Sequence, residues 1–285
     1  MNTIENEKLK TKALQPSYYK NIADQKIAFY ESAGKGETAL MVHGNSSNAG
    51  NYKNQLASEL GEKYHLVAFD FPGCGNSPFA HEPDKVYGID GLAKVLLEII
   101  HSLGENCWLV GHSLGSNLAL YAAQQNPTHI KGLFLSGILL ADTSEELAQA
   151  ALPNPDMALF FQHTLTAEER QRLARAGFHN PNHEAVTDVS EGLEITDPLF
   201  RTSIAASVAD PLFYVGHKQF LRTATLPVAL VEAENDAFIN RDYLGKQEIP
   251  ALWRNKIQLV ENAGHYVHLE NPETMNLLLE EFICQ

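Results

Sequence analysis

The stretch Leu109-Val110-Gly111-His112-Ser113-Leu114-Gly115-Ser116-Asn117 sets a serine between two glycines, directly behind an apolar run. The run reads as a strand buried on both faces, and Ser113 to Gln125 read as a helix. A chain that passes from buried strand to helix at one residue must turn sharply. At so tight a turn the serine backbone is strained and neighbouring side chains would clash, which Gly111 and Gly115 relieve. The hydroxyl then stands clear of the sheet, over a helix N-terminus that favours developing negative charge. A glycine-eased turn with no chemistry has the same local pattern, so the rest of the chain decides between the two.

Outward from this turn the chain alternates strands with helices. Short apolar runs at Thr38–Val42, His65–Phe69, Asn106–Val110 and Ile130–Leu135 suit buried parallel strands, and Lys26–Tyr30 alternates as an edge strand would. Helices are expected at Asn51–Glu59, Tyr87–Leu103 and Ser113–Gln125, and the first 22 residues read as a loose arm. The rhythm breaks near Ala141. From there to about Leu221 the pattern is helical and punctuated by Pro153, Pro155, Pro181, Pro198 and Pro211. Strand patterning resumes at Pro227–Glu232 and Lys256–Val260, before a last helix over Pro272–Ile283. The expectation is an α/β fold with a doubly wound, mostly parallel sheet. Residues 1–140 and 222–285 would form its core, and 141–221 an inserted helical cap.

Composition narrows the function classes. The 285 residues carry a formal charge of −14, which repels phosphate backbones and disfavours nucleic-acid binding. Cys74, Cys107 and Cys284 are odd in number and widely spaced, with no disulfide framework and no C-x-x-C pair. The polar N-terminus lacks the apolar core of a signal peptide, and no apolar run approaches about 18 residues. A cytoplasmic protein without membrane partners is therefore expected. His179 and His183 straddle Pro181, which breaks any helical metal pair, and Asp70–Ser77 lacks the third glycine of a dinucleotide loop. Neither a metal nor a cofactor is expected, and Asp70–Ser77 reads as a structural turn.

A serine nucleophile needs a base, an orienting acid and two donors for an oxyanion. His265 follows the Lys256–Val260 strand and precedes the last helix, where loops from strand ends line a site. His268 is its competitor, with a supporting role as the alternative. The acid should lie between serine and histidine. Asp236, just beyond the Pro227–Glu232 strand, is the choice, with Glu232 and Glu234 as alternatives. One oxyanion donor is the backbone N–H of Leu114, after the nucleophile. The other belongs to the loop after Thr38–Val42, where Gly44 lets the chain turn, Asn45 presents its N–H and His43 braces the loop.

These pieces occur in one order along the chain. With them the sequence resembles an α/β-hydrolase-fold serine hydrolase, on His43-Gly44-Asn45-Ser46-Ser47, Asp70–Ser77, Gly111–Gly115, Glu234–Phe238 and Asn262–Glu273, over about residues 25–140 and 222–285. His43–Ser47 followed by a helix start containing Gly50-Asn51, Pro155-Asp156-Met157-Ala158-Leu159, and the stretch from Glu234–Phe238 to Asn262–His265 resemble the N-acyl homoserine lactonases of that fold. The resemblance implies Ser113, Asp236 and His265 as a catalytic triad and Asn45 and Leu114 as the oxyanion pair. The chain departs from that subgroup at His112, where a bulkier aromatic can stand, at Ser116 in place of glycine, and beyond Leu159. The expected substrate is a small-molecule carboxylic ester or lactone with an apolar tail. Met157, Leu159, Phe160, Phe161, Leu199, Phe200 and Phe213 are candidates to line its pocket. General carboxylesterase action, carbon–carbon bond hydrolysis and a ligand receptor on a hydrolase scaffold are the alternatives.

Overall fold

The computed structural model describes residues 14–210 and 215–285, so Phe213 lies outside it. Among the described residues eight strands form one sheet: β1 (Tyr18–Ile22), β2 (Gln25–Glu31), β3 (Thr38–Val42), β4 (His65–Phe69), β5 (Cys107–His112), β6 (Ile130–Ser136), β7 (Val228–Ala233) and β8 (Gln258–Val260). Their order is β1-β2-β4-β3-β5-β6-β7-β8. From β4 onward every pairing is parallel, while β1–β2 and β2–β4 are antiparallel. All residues of β3, β5 and β7 are buried, as strands covered on both faces must be. Within β5, Cys107 and Leu109 join the core on one face, and Trp108 and Val110 join the core on the other.

The N-terminal reading needs correction. Residues 18–22 are not a loose arm but the edge strand β1, and Lys26–Tyr30 lies one strand in from the edge. The connecting residues Ala23 and Asp24 have φ of 48° and 61°, the left-handed pair of a tight hairpin turn. The segment Asn51–Glu59 is also not one helix. A 3₁₀ turn at Ala49–Tyr52, a helical turn at Lys53–Leu56 and a separate helical segment at Glu59–Lys63 replace it. The break falls at Ser58, which is extended and whose hydroxyl donates to the Gln55 carbonyl.

The remaining helices follow the expected positions. Helix α1 (Ile89–Leu103) buries Leu92, Leu96 and Ile99 on one stripe and stops at Gly104, whose φ of 71° ends the helix. Helix α2 (Leu114–Gln125) follows β5. Between β6 and β7 the described residues form α3 (Ser144–Ala150), a 3₁₀ turn at Pro155–Phe161, α4 (Ala167–Ala176), α5 (Val186–Ile195), α6 (Pro198–Ala209) and α7 (His217–Thr223). Arg201 fastens this excursion together. Its buried guanidinium donates to the carbonyls of Gln162, His163 and Leu193. Helix α8 (Pro272–Ile283) closes the chain, capped by Asn271. Among the described residues no helix is long and apolar enough to cross a membrane.

Candidate active site

The opening stretch builds the sharpest feature of the backbone. β5 ends at His112, α2 starts at Leu114, and Ser113 joins them at φ 53°, ψ −122°. Its N–H is tied to the Ser136 carbonyl at 2.8 Å. The flanking glycines answer to crowding. A Cβ on Gly111 would lie 2.6 Å from Ser116 Cα, and one on Gly115 only 2.0 Å from the Val42 carbonyl oxygen. The residue carrying strain is the serine itself, the arrangement that turns a hydroxyl outward.

His265 lies beyond β8 and reaches back to the loop after β7. Its Nδ1 is 2.7 Å from Asp236 Oδ2, with both side chains buried. The other Asp236 oxygen accepts the N–H groups of Phe238 at 2.7 Å and Ile239 at 3.1 Å. The carboxylate is thereby held on both sides and fixes the imidazole in turn. Phe238 meets the His265 ring edge-on at 5.2 Å, and Gly137 approaches it from the loop after β6.

The alternatives occupy other places. His268 is fully buried, its ring tilted against Tyr52 at 5.1 Å and beside His112 at 4.5 Å, and burial pushes its pKa down to about 3. Glu232 is buried on β7, where burial first and the nearby Asp236 second hold its carboxyl well above the usual range. Glu234 is exposed and accepts the Asn262 N–H. Asp236 is the carboxylate hydrogen-bonded to His265.

The loop after β3 comes close to the serine, since a Cβ on Gly44 would stand 3.2 Å from Ser113 Cβ. His43 holds this loop. Its Nε2 accepts the Phe71 N–H and its Nδ1 donates to the Gly44 carbonyl, while burial lowers it to about 4 and keeps it neutral. Asp70 works beside it, accepting from the Ala49 and Asn76 N–H groups and the Tyr30 hydroxyl. Burial outweighs those three bonds and raises it to about 6. Asp70–Ser77 is thus a turn wound around its own carboxylate. His112 Nε2–H donates to the His265 carbonyl at 2.9 Å, a link that spacing gave no sign of.

Asn45, Ser113, Leu114, Gly137 and His265 open together on a cavity of about 350 Å³. Of the seven apolar candidates, Met157, Phe160 and Phe161 line it. Leu159 packs with Leu173 and Leu193, Phe200 is buried against Tyr87, and Leu199 is exposed, so these three are corrected. The remaining wall includes Leu147 and Ala148 of α3, Ala151 directly after it, Ile204 and Val208 of α6, and Leu139, Phe238 and Ile239. The spacing of Leu147–Ala151 and of Ile204–Val208, one helical turn each, is the signal that could have found them. Among the described residues the lining includes no lysine or arginine.

The family model described as "Alpha/beta hydrolase family" matches residues 39–276. Among curated proteins, the 2-hydroxy-6-oxononadienedioate/2-hydroxy-6-oxononatrienedioate hydrolase 2 of Pseudomonas putida is 24% identical over 274 residues, covering 89% of this chain and 90% of that protein. Among solved structures, the N-acyl homoserine lactonase AidH complexed with N-butanoyl homoserine superposes with a TM-score of 0.84 at 29% identity, over 93% of this chain and 95% of that one. An esterase from Exiguobacterium antarcticum superposes with a TM-score of 0.78 at 17% identity, over 95% of this chain and 100% of its own, a likeness of fold.

Proposed function

This chain belongs to the alpha/beta hydrolase family, and on that premise we propose that it is a cytoplasmic serine hydrolase cleaving a carboxylic ester or lactone with an apolar acyl tail. Residues 1–140 and 222–285 are its catalytic core and 141–221 the cap that shapes the acyl site. One observation carries the reading: the strained Ser113 and His265, whose ring is hydrogen-bonded to Asp236, open on the same apolar cavity.

Ser113 Oγ attacks the carbonyl carbon as its proton passes to His265. With Nδ1 committed to Asp236, Nε2 is the nitrogen that receives it. The tetrahedral oxyanion is met by the backbone N–H groups of Asn45 and Leu114, each worth about 3–4 kcal/mol of barrier. The carbon–oxygen bond to the leaving group breaks, and the alkoxide takes the proton back from His265. Water then attacks the acyl-enzyme with His265 again as base, releasing the acid and restoring Ser113. For a lactone the leaving alkoxide stays tethered, so the product is the ring-opened hydroxy acid.

Two facts support an ester or lactone over a dicarboxylate such as that in the name of the Pseudomonas putida relative. Among the described residues the cavity wall includes no lysine or arginine, so a second carboxylate would be desolvated without such a partner. The AidH structures, 28–29% identical, were solved with N-hexanoyl or N-butanoyl homoserine species, which favours acyl homoserine lactones as the first substrates to try. Incubation with lactones of several chain lengths and with p-nitrophenyl esters, read by mass spectrometry and absorbance, tests the assignment. Ring opening that vanishes in Ser113→Ala is expected. Rapid ester cleavage without ring opening rejects the lactone, and ligand binding with no turnover at all rejects the hydrolase.

A further inference from the structure

Asn45 carries one hydrogen bond that an oxyanion donor does not require. Its side-chain Nδ2 donates to the carbonyl of Phe160, 115 residues away, at 3.0 Å. The amide cannot easily turn over, because the Ser46 hydroxyl donates to its Oδ1 at 3.0 Å. Phe160 belongs to the 3₁₀ turn Pro155–Phe161, whose Met157, Phe160 and Phe161 face the cavity. The start of the same turn is hooked beside the acid: Asn154 Nδ2 donates to the Ala237 carbonyl at 3.3 Å. Its end also packs edge-on toward the base. The Phe160 ring meets Phe238 at 5.7 Å, and Phe238 meets His265 at 5.2 Å.

Resting on the hydrolase reading above, we propose that the Asn45 side chain is a positioning residue that couples the acyl wall to the oxyanion loop. One residue spans both: Asn45 lines the cavity with Ser113, directly after Gly44 that approaches the serine, and its side chain grips the wall. A tail that fills the cavity presses on the turn, and the Phe160 carbonyl passes that constraint to Asn45. Binding energy of the tail then fixes the oxyanion N–H, where it raises kcat, instead of serving binding alone. Without the link the same tail would lower KM with little effect on kcat.

The test compares p-nitrophenyl acetate, butyrate and hexanoate with the wild type, Asn45→Ala, Asn45→Asp and Ser46→Ala. Asn45→Asp keeps the shape and replaces the donor with an acceptor facing a carbonyl. In the wild type kcat rises with chain length. In Asn45→Ala the hexanoate-to-acetate ratio of kcat falls roughly threefold to tenfold, the net worth of one neutral hydrogen bond. Asn45→Asp falls at least as far, and Ser46→Ala, which frees the amide to rotate, falls partway. Equal losses for acetate and hexanoate overturn the coupling, as does an Asn45→Asp variant that keeps the wild-type ratio. A wild type without Ser113-dependent turnover overturns the hydrolase reading and this inference together. Ser113-dependent turnover with an unchanged ratio overturns this inference alone.

Discussion

Gly137→Ala tests whether the position of His265 governs the rate. Gly137 follows β6 with a φ of 62°, and a Cβ placed on it would lie 2.7 Å from His265 Cε1 and 3.1 Å from Nδ1. Ordinary carbon–carbon contact is roughly 3.5 Å, so the ring has to retreat by about 0.8 Å. It has nowhere to go without loss. Asp236 holds Nδ1 at 2.7 Å, and the rings of His112 and Phe238 stand at 4.8 Å and 5.2 Å. A misplacement of about 1 Å costs on the order of 100-fold in rate, and kcat is expected to fall by that much with KM little changed. The left-handed backbone adds about 1–2 kcal/mol of strain for alanine, a fall in Tm of a few degrees. Gly104→Ala separates the two effects. Gly104 has a φ of 71° and nothing within 4 Å of its would-be Cβ. It should lose similar stability and keep its kcat. Steady-state hydrolysis of p-nitrophenyl butyrate and thermal melts of both variants decide the matter. A Gly137→Ala enzyme within threefold of the wild-type kcat refutes the reasoning, as do equal activity losses in the two variants.

Two further outcomes follow from the same geometry. Asp236→Asn should lower kcat by about 10³–10⁴-fold with little change in KM, because an amide facing Nδ1 favours the wrong imidazole tautomer; a loss under about tenfold contradicts the role given to Asp236. Stability should fall on acidification from pH 7 to 4, measured by circular dichroism melts. His43 and His268 are lowered by burial from 6.5 to about 4 and about 3, so the unfolded chain takes up their protons first. Their contribution is present above about pH 6.5 and is lost as pH falls toward the folded values, about 3–5 kcal/mol each. Asp70 works the other way. Raised from 3.8 to about 6, it stabilises below about pH 4 and loses that contribution as pH rises to 6; burial raises Glu232 in the same sense and lowers His112 and His217 in the sense of His43 and His268, so four groups oppose two. A Tm that is flat or rising toward pH 4 contradicts this ordering.

Much of the sheet was legible because parallel strands buried on both faces read as continuous apolar runs, and β3, β4, β5 and β7 each carry one. The elbow was legible because crowding at Gly111 and Gly115 leaves room for no side chain. β1 was not, because four of its five residues are exposed and its turn is Ala23-Asp24, without the usual glycine. The cavity wall was only partly legible, since an apolar residue in a helical excursion faces whichever side its helix rotation dictates. Phe200 turns into the core against Tyr87, whose hydroxyl donates to Asp197 at the start of the same helix. That orientation is set by contacts more than a hundred residues apart, which no local pattern records.

The buried histidines show how such a site is held together. Its groups sit on loops, whose backbone N–H and carbonyl groups lack ladder partners and need others. A neutral imidazole offers one donor and one acceptor across a rigid ring, so it can join two backbone groups of opposite kind. His43 does this between the Gly44 carbonyl and the Phe71 N–H, locking the loop after β3 to the end of β4. His112 holds the His265 carbonyl from the elbow itself, so the serine and the histidine are braced by the last residue of β5. A phenylalanine at position 43 would fill the same space and strand two buried backbone groups, at about 1–3 kcal/mol each. The neutrality forced by burial therefore serves the geometry: only the uncharged ring has the acceptor that Phe71 requires.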